Sequence, residues 1–432
     1  MRAATTAGSE TARLTTRDAV AAAVEQAVES RPITDVHTHL YPPAFGSLLL
    51  WGLDDLLTYH YLTAEVLRAD PGLQPQALFA LSKAEQADLI WQRLFLEASP
   101  VSEACRGPLT TLQLLGIEPG RDLTAVRRAL AERTVEEHVE AVFCAAHVRT
   151  AVMTNDPFDE QERELWLAGP EPDPRFLPAL RLDGLLVTWG QAVGRLRRWG
   201  YEVTLGMNAD TCREVRRFLT DWIERLRPVY MAVSLPQTFT FPDETSCGRL
   251  IAECVLPLAA ERHIPFALMI GVKRAVNPGL LLAGDGVGRS DLGALERLCA
   301  AHPGVRFLAT ALSRENQHEL CVAARKFANL LPFGCWWFLN NPSLIEEITR
   351  MRLELLGLSF IPQHSDARIL DQLVYKWAHS REILVRVLTD KYDDLRRTGW
   401  SVTAQDVGRD VERLLAGNFA AFAGGPGQSA RA

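Results

Sequence analysis

The sequence predicts an α/β protein: a distorted (β/α)8 TIM barrel with a helical insertion after its first strand. Three observations predict it. Short apolar runs bounded by turn residues alternate with longer amphipathic stretches. Eight such runs occur, the number that closes a barrel. One interval, between the first run and the second, exceeds a hundred residues and is helical in pattern.

In order along the chain, residues 1–15 form a loose leader rich in Thr and Ala, and 17–30 have helical spacing. The strand candidates are 33–39, 147–154, 176–181, 229–235, 264–271, 305–311, 331–334 and 358–364. Helical segments at 210–226, 249–261, 292–301, 317–329 and 343–356 separate most of the later ones. Such β-then-α units give a parallel sheet. The insertion, near 45–142, holds helical stretches at 83–97, 123–131 and 135–143, with turns at Asp70-Pro71-Gly72 and Glu118-Pro119-Gly120. It is expected over the C-terminal mouth, where barrel active sites lie. Residues 168–175 read as a loop, and 421–432 as a disordered tail, leaving 31–420 as the barrel domain.

Composition narrows the function. Apolar residues make up 47% and charged residues 23%, which excludes a disordered or collagen-like chain. A net charge of −7 gives no general attraction to nucleic acid or to an anionic membrane, so an anionic ligand needs its own arginines. The eight cysteines form no CxxC pair, which argues against a disulfide scaffold or a zinc ribbon and for a reducing cytoplasm. The first twenty residues hold no apolar core of a secretory signal. No run approaches a membrane span, since Asp54 and Asp55 break the strongest candidate, 45–57.

The chemistry starts at Thr34-Asp35-Val36-His37-Thr38-His39-Leu40. Residues i and i+2 of a strand face the same way, so His37 and His39 project together from the end of strand 1. Two imidazoles held this way are half a metal site. Ordinary polar contacts explain an HxH equally well until its place at a barrel mouth is considered. The second piece, Pro362-Gln363-His364-Ser365-Asp366-Ala367-Arg368, follows the last strand. Asp366 suits a ligand or a base, and the planar fork of Arg368 suits a carboxylate. A surface Asp–Arg pair capping a helix is the plainer alternative.

Together these segments resemble the amidohydrolase superfamily, and further motifs resemble its uronate (glucuronate) isomerase family. They are Thr58-Tyr59-His60-Tyr61 in the insertion, Thr154-Asn155-Asp156-Pro157 after strand 2, Pro178-Ala179-Leu180-Arg181-Leu182-Asp183 after strand 3, Phe333-Gly334-Cys335-Trp336-Trp337-Phe338, and Ser365-Asp366-Ala367-Arg368. The resemblance implies that His37, His39 and Asp366 bind one divalent metal, zinc. It implies that His60 and Tyr61 act from the insertion with Asp366, and that Arg181 and Arg368 hold the anionic open-chain sugar. Trp336 and Trp337 are divided between core and sugar wall. The implied reaction converts D-glucuronate to D-fructuronate, or D-galacturonate to D-tagaturonate.

Such an isomerisation moves a proton from C2 to C1 and another between O2 and O1 through an enediolate. A carboxylate at Asp366 supplies the base, and Tyr61 the shuttle between the oxygens. A metal or an arginine stabilises the negative oxygens. No redox cofactor is required. The expected partner is a small anionic sugar acid, with neither nucleic acid nor membrane, and assembly as a homo-oligomer stays open.

Several positions depart from the family pattern. Met269, in Leu268-Met269-Ile270-Gly271, replaces a histidine, and a thioether is a poor ligand for such a cation. Asn155 replaces the first Asp of the strand 2 motif. His364 is a candidate substitute imidazole, and Lys273 and Arg274 add positive charge nearby. Two other readings follow: a metal-dependent hydrolase of a sugar-acid lactone, ester or amide, and a non-catalytic uronate binder, which Met269 keeps open.

The remaining features read as structural. Residues 284–288 are a turn, with Ser290-Asp291 capping the next helix. His138, His302, His318 and His379 are expected in solvent. Cys144, Cys254, Cys299 and Cys321 are expected in the core. Arg195, Arg197 and Arg198 are a solvated cluster.

Overall fold

A computed structural model describes residues 12–424. Seven parallel strands run in the order β1 (Ile33–Thr38), β2 (Val148–Asn155), β3 (Phe176–Arg181), β4 (Met231–Pro236), β5 (Phe266–Lys273), β7 (Phe307–Ala311) and β8 (Leu330–Pro332). The ribbon β6 (Gly286–Val287) pairs antiparallel with the end of β5, which the turn reading of 284–288 missed.

The eighth place is taken by residues 360–367, which form no regular strand. Ile361 N–H donates to the Pro332 carbonyl, and Gly334 N–H to that of Ile361. On the other side Asp366 N–H donates to the His37 carbonyl, and His39 N–H to that of Ala367. The ring of strands is thus closed by single bonds rather than by a ladder. Pro362 has no N–H to give. Ser365 N–H is taken by the Asp35 carboxylate, and the His364 and Ser365 carbonyls accept from Asn340. Side chains have replaced the ladder where the site is built.

The barrel interior is filled by Val36, Val152, Ala179, Ala232, Ala267, Met269 and Leu308, all buried. Small alanines beside larger residues let the inward side chains interdigitate. Met269 belongs to this packing.

Four helices position the site besides α1 (Arg17–Ser30): α2 (His60–Ala69), α3 (Glu103–Leu114) and α4 (Val135–Ala146) in the insertion, and α5 (Gln372–Arg397), which follows residue 367. Sequence reading did not single out α5. Buried polar pairs fasten the insertion to it. His138 of α4 lies 2.9 Å from Asp371, whose other oxygen accepts from Gly52 N–H at 2.7 Å. His379 of α5 touches Glu103 at 2.5 Å and Thr110 at 2.9 Å. Both histidines were expected in solvent. They are buried because helices pack over them, and polar partners offset the cost. Cys144 shows the opposite error, being exposed on α4, whereas Cys254, Cys299 and Cys321 are buried.

Residues 418–423 are helical, including the start of the segment 421–432 read as a tail, while residues 1–11 of the leader 1–15 and 425–432 of the tail lie outside the described residues. No described helix is long and apolar enough to cross a membrane.

Gly334 is required where the closing segment passes β8. Its φ is +64°, and a Cβ there would sit 1.8 Å from Cδ2 of the buried His364. Overpacking and a left-handed non-glycine residue should together cost Gly334→Ala roughly 2–5 kcal/mol. Urea unfolding would show this as a lowered midpoint, and an unchanged midpoint would contradict the packing.

Candidate active site

The bonds that close the barrel also assemble its reactive groups. β1 loses regular register between Asp35 and Thr38, where His37 sits. His39 lies just past the strand's end. Asp366, zipped to the His37 carbonyl, adopts a φ of +51°, a conformation that Asp and Asn tolerate better than most residues. The result is a trio: His37 Nε2 lies 3.6 Å and His39 Nε2 3.3 Å from Asp366 Oδ1. One ligand atom from each lies within 4.8 Å of the others. Two imidazoles and a carboxylate are a donor set that suits a divalent cation.

The outer ring nitrogens have hydroxyl partners. His37 Nδ1 lies 3.1 Å from the Tyr230 hydroxyl, and His39 Nδ1 lies 2.8 Å from that of Thr154. Burial, partly opposed by Asp366, pushes the His37 pKa down to about 3; His39, Arg181 and Arg368 push the same way. His39 is lowered by burial and then by Arg368 and Arg181. Both rings are therefore neutral at physiological pH, as metal ligands must be.

His364 stands outside the trio. It is fully buried against His37 and Phe333, and neither of its ring nitrogens has a partner among the described residues. Met269, in the apolar interior, is also outside it. Lys273 is exposed, and Arg274 pairs with Asp285 in the loop after β5.

The insertion brings His60 and Tyr61 to the mouth at the start of α2. The Trp337 indole N–H donates to His60 Nε2 at 3.1 Å. Trp336 is buried, whereas Trp337 is half-buried beside His60. The Tyr61 hydroxyl is buried and has no hydrogen-bond partner among the described residues. Burial first, then Tyr59 and Asp366, raise its pKa, so it stays protonated.

Arg181 is aimed by Asp183, whose carboxylate accepts from it at 3.0 Å. Burial opposes its charge, but Asp183 and Asp156 more than compensate and its pKa is raised. Arg368 is exposed and lies against Tyr59.

Asn155 has a structural reason. Its amide donates at 2.7 Å to Glu162, a fully buried carboxyl that also accepts from Asp156 N–H and the Tyr41 hydroxyl. An aspartate at 155 would set two carboxylates against each other. Burial pushes Glu162 up to about 7 despite these donors.

Sequence reading missed Lys376 and the part played by Asp35. Lys376 is buried on α5, and its ammonium donates to the Ser365 carbonyl at 2.6 Å. It lies 5.7 Å from the centre of the Tyr61 ring. Burial pushes its pKa down to about 8, opposed by Asp366 and Asp35. Asp35 accepts from Ser365 N–H and the Trp377 indole, clamping the closing segment to β1 and α5. The only sequence signal was the adjacent Lys376 and Trp377 near the start of α5.

A cavity of about 900 Å³ lies elsewhere, between Trp166, Trp222 and the Pro-rich loop 170–174. It includes none of these groups.

Comparison with known proteins gives the family. The fold superposes on a uronate isomerase from Bacillus halodurans with a TM-score of 0.93, at 56% identity over 95% of this chain and 97% of that one. The chain belongs to the uronate isomerase family. A uronate isomerase from Thermotoga maritima (TM-score 0.74, 93% of this chain and 97% of that one) and a glucuronate isomerase from Caulobacter crescentus (0.76, 94% of each) share the fold at 16% identity. No protein-family model and no curated protein matches the sequence.

Proposed function

We propose that this enzyme interconverts an aldehyde uronate, D-glucuronate or D-galacturonate, and its keto isomer. The observation that carries the reading is the convergence of His37, His39 and Asp366 at the mouth, in a chain 56% identical to a uronate isomerase.

The residues divide the work. Arg181 and Arg368 bind the substrate carboxylate and oxygens, and their planar forks fix its orientation. Asp366 takes the C2 proton and returns it at C1. Tyr61 moves a proton between O2 and O1. His60, with Nε2 already accepting from Trp337, has only Nδ1 left to offer a substrate oxygen, as a donor. The Trp337 face walls the sugar. His37, His39 and Asp366 would hold zinc, which supplies Lewis-acid stabilisation of negative oxygen when bound. A cytoplasmic setting suits eight cysteines that all remain free thiols.

The test is incubation with glucuronate, galacturonate and neutral aldoses. A ketose should form only from an aldehyde carrying the terminal carboxylate. Hydrolysis of a uronate lactone without ketose formation would favour the hydrolase reading, and tight uronate binding without turnover the non-catalytic one.

The mouth also predicts a pH dependence of stability. Burial, then Arg368 and Lys376, push the His60 pKa down to about 3. An unfolded imidazole titrates near about 6.5. Between those values the unfolded chain binds the extra proton, so stability is lost as pH falls from about 6.5 towards 3. The melting temperature of His60→Asn should fall less over this window than that of the wild type. Parallel curves would contradict the burial of a neutral His60.

A further inference from the structure

We infer that Tyr230 and Thr154 are positioning residues that fix the tautomers of His37 and His39, so that both Nε2 lone pairs are free for the cation that Asp366 would share. The inference deepens the metal reading above and rests on it for its purpose.

Tyr230 is fully buried. Its hydroxyl donates to the Val36 carbonyl at 2.8 Å and lies 3.1 Å from His37 Nδ1. The Thr154 hydroxyl donates to the Thr38 carbonyl at 2.9 Å and lies 2.8 Å from His39 Nδ1. A hydroxyl has one proton to give and lone pairs to receive. A carbonyl can only accept, whereas an imidazole nitrogen can do either. The one assignment that satisfies all three groups gives the hydroxyl proton to the carbonyl and makes Nδ1–H the donor to the hydroxyl oxygen. The same solution arises twice, from Thr154 on β2 and from Tyr230 just before β4, with different residue types.

The consequence reaches the trio. A neutral imidazole protonated at Nδ1 has its lone pair at Nε2, the atoms found 3.6 and 3.3 Å from Asp366. Each backbone carbonyl used as an anchor belongs to a residue directly before its histidine, Val36 before His37 and Thr38 before His39. The strand that carries the ligands therefore also sets, through a hydroxyl, which nitrogen is free. The other tautomer would turn an N–H towards the cation and leave a buried nitrogen lone pair facing a hydroxyl whose proton is already spent.

The test reads tautomers first. In metal-free protein carrying 15N-labelled histidine, with His37→Gln and His39→Gln used to assign the signals, both rings should show a protonated Nδ1 and a bare Nε2. Zinc affinity is then measured by competition with a chelating dye for wild type, Thr154→Val, Thr154→Ser and Tyr230→Phe. Thr154→Val and Tyr230→Phe should bind zinc about 10- to 100-fold more weakly, the usual cost of losing an outer partner of a ligand histidine. Thr154→Ser, which keeps the hydroxyl, should bind as wild type does. The threonine pair decides the matter if Tyr230→Phe fails to fold. A protonated Nε2 on either ring in the wild type, or equal zinc affinity for Thr154→Val and Thr154→Ser, would overturn the inference. Wild-type protein that binds no zinc would remove the metal reading, and the tautomer spectrum would still decide whether the rings are positioned as claimed.

Discussion

Asp366→Asn should lose turnover by about 10³-fold or more while keeping its fold, since general acid–base help is typically worth about 10²–10⁴-fold and this carboxylate also faces both imidazoles. Asparagine is the right replacement. It matches aspartate in size and tolerates the left-handed backbone that Asp366 adopts, which alanine would strain. Asp366 N–H to the His37 carbonyl survives the change, so the barrel still closes. What is lost is the charge between His37 and His39 and the capacity to take a proton. Steady-state kinetics with a thermal melt would check it: kcat should collapse with little change in melting temperature. An undiminished kcat would remove Asp366 as the base.

Arg368→Met should act on binding instead. A hydrogen bond to a charged group is worth about 1.5–3 kcal/mol, so kcat/KM should fall roughly 10- to 150-fold. Most of the loss should appear in KM, because the guanidinium holds the substrate rather than moving its proton. Arg368→Lys should recover only part of it, since an ammonium cannot grip a carboxylate with two parallel bonds. Arg368 is exposed and holds no described salt bridge, so little stability is at stake. Arg181 is different: it is engaged with Asp183, and its removal would leave that partly buried carboxylate unpaired. A KM for Arg368→Met equal to wild type would contradict the assignment.

The regular parts of the fold were legible because their patterns are local. Apolar runs located seven of the parallel strands, and β3 matches its predicted bounds. The eighth segment was found as an apolar run but not as what it is. Its backbone is satisfied by Asp35, 330 residues away, and by Asn340 across an intervening helix, and no local pattern reports that. The histidines show the same division. His37 and His39 could be paired from a two-residue spacing on one strand. The burial of His138 and His379 depends on helices meeting across more than 200 residues of chain, His138 with Asp371 and His379 with Glu103. Lys376 was invisible for a different reason: it lies only 11 residues from Ser365, but their contact depends on how the irregular closing segment leads into α5.

The claim that most depends on all of this is that one carboxylate carries hydrogen between neighbouring carbons of a bound sugar acid. Running the reaction in D2O and reading the ketose by NMR tests it directly. Deuterium should enter at C1 of the ketose, at C2 of the aldose recovered from the reverse direction, and nowhere else, with both losses following Asp366→Asn. Ketose formed with the original C2 hydrogen retained in full at C1, at a rate the Asp366→Asn variant shares, would contradict the account.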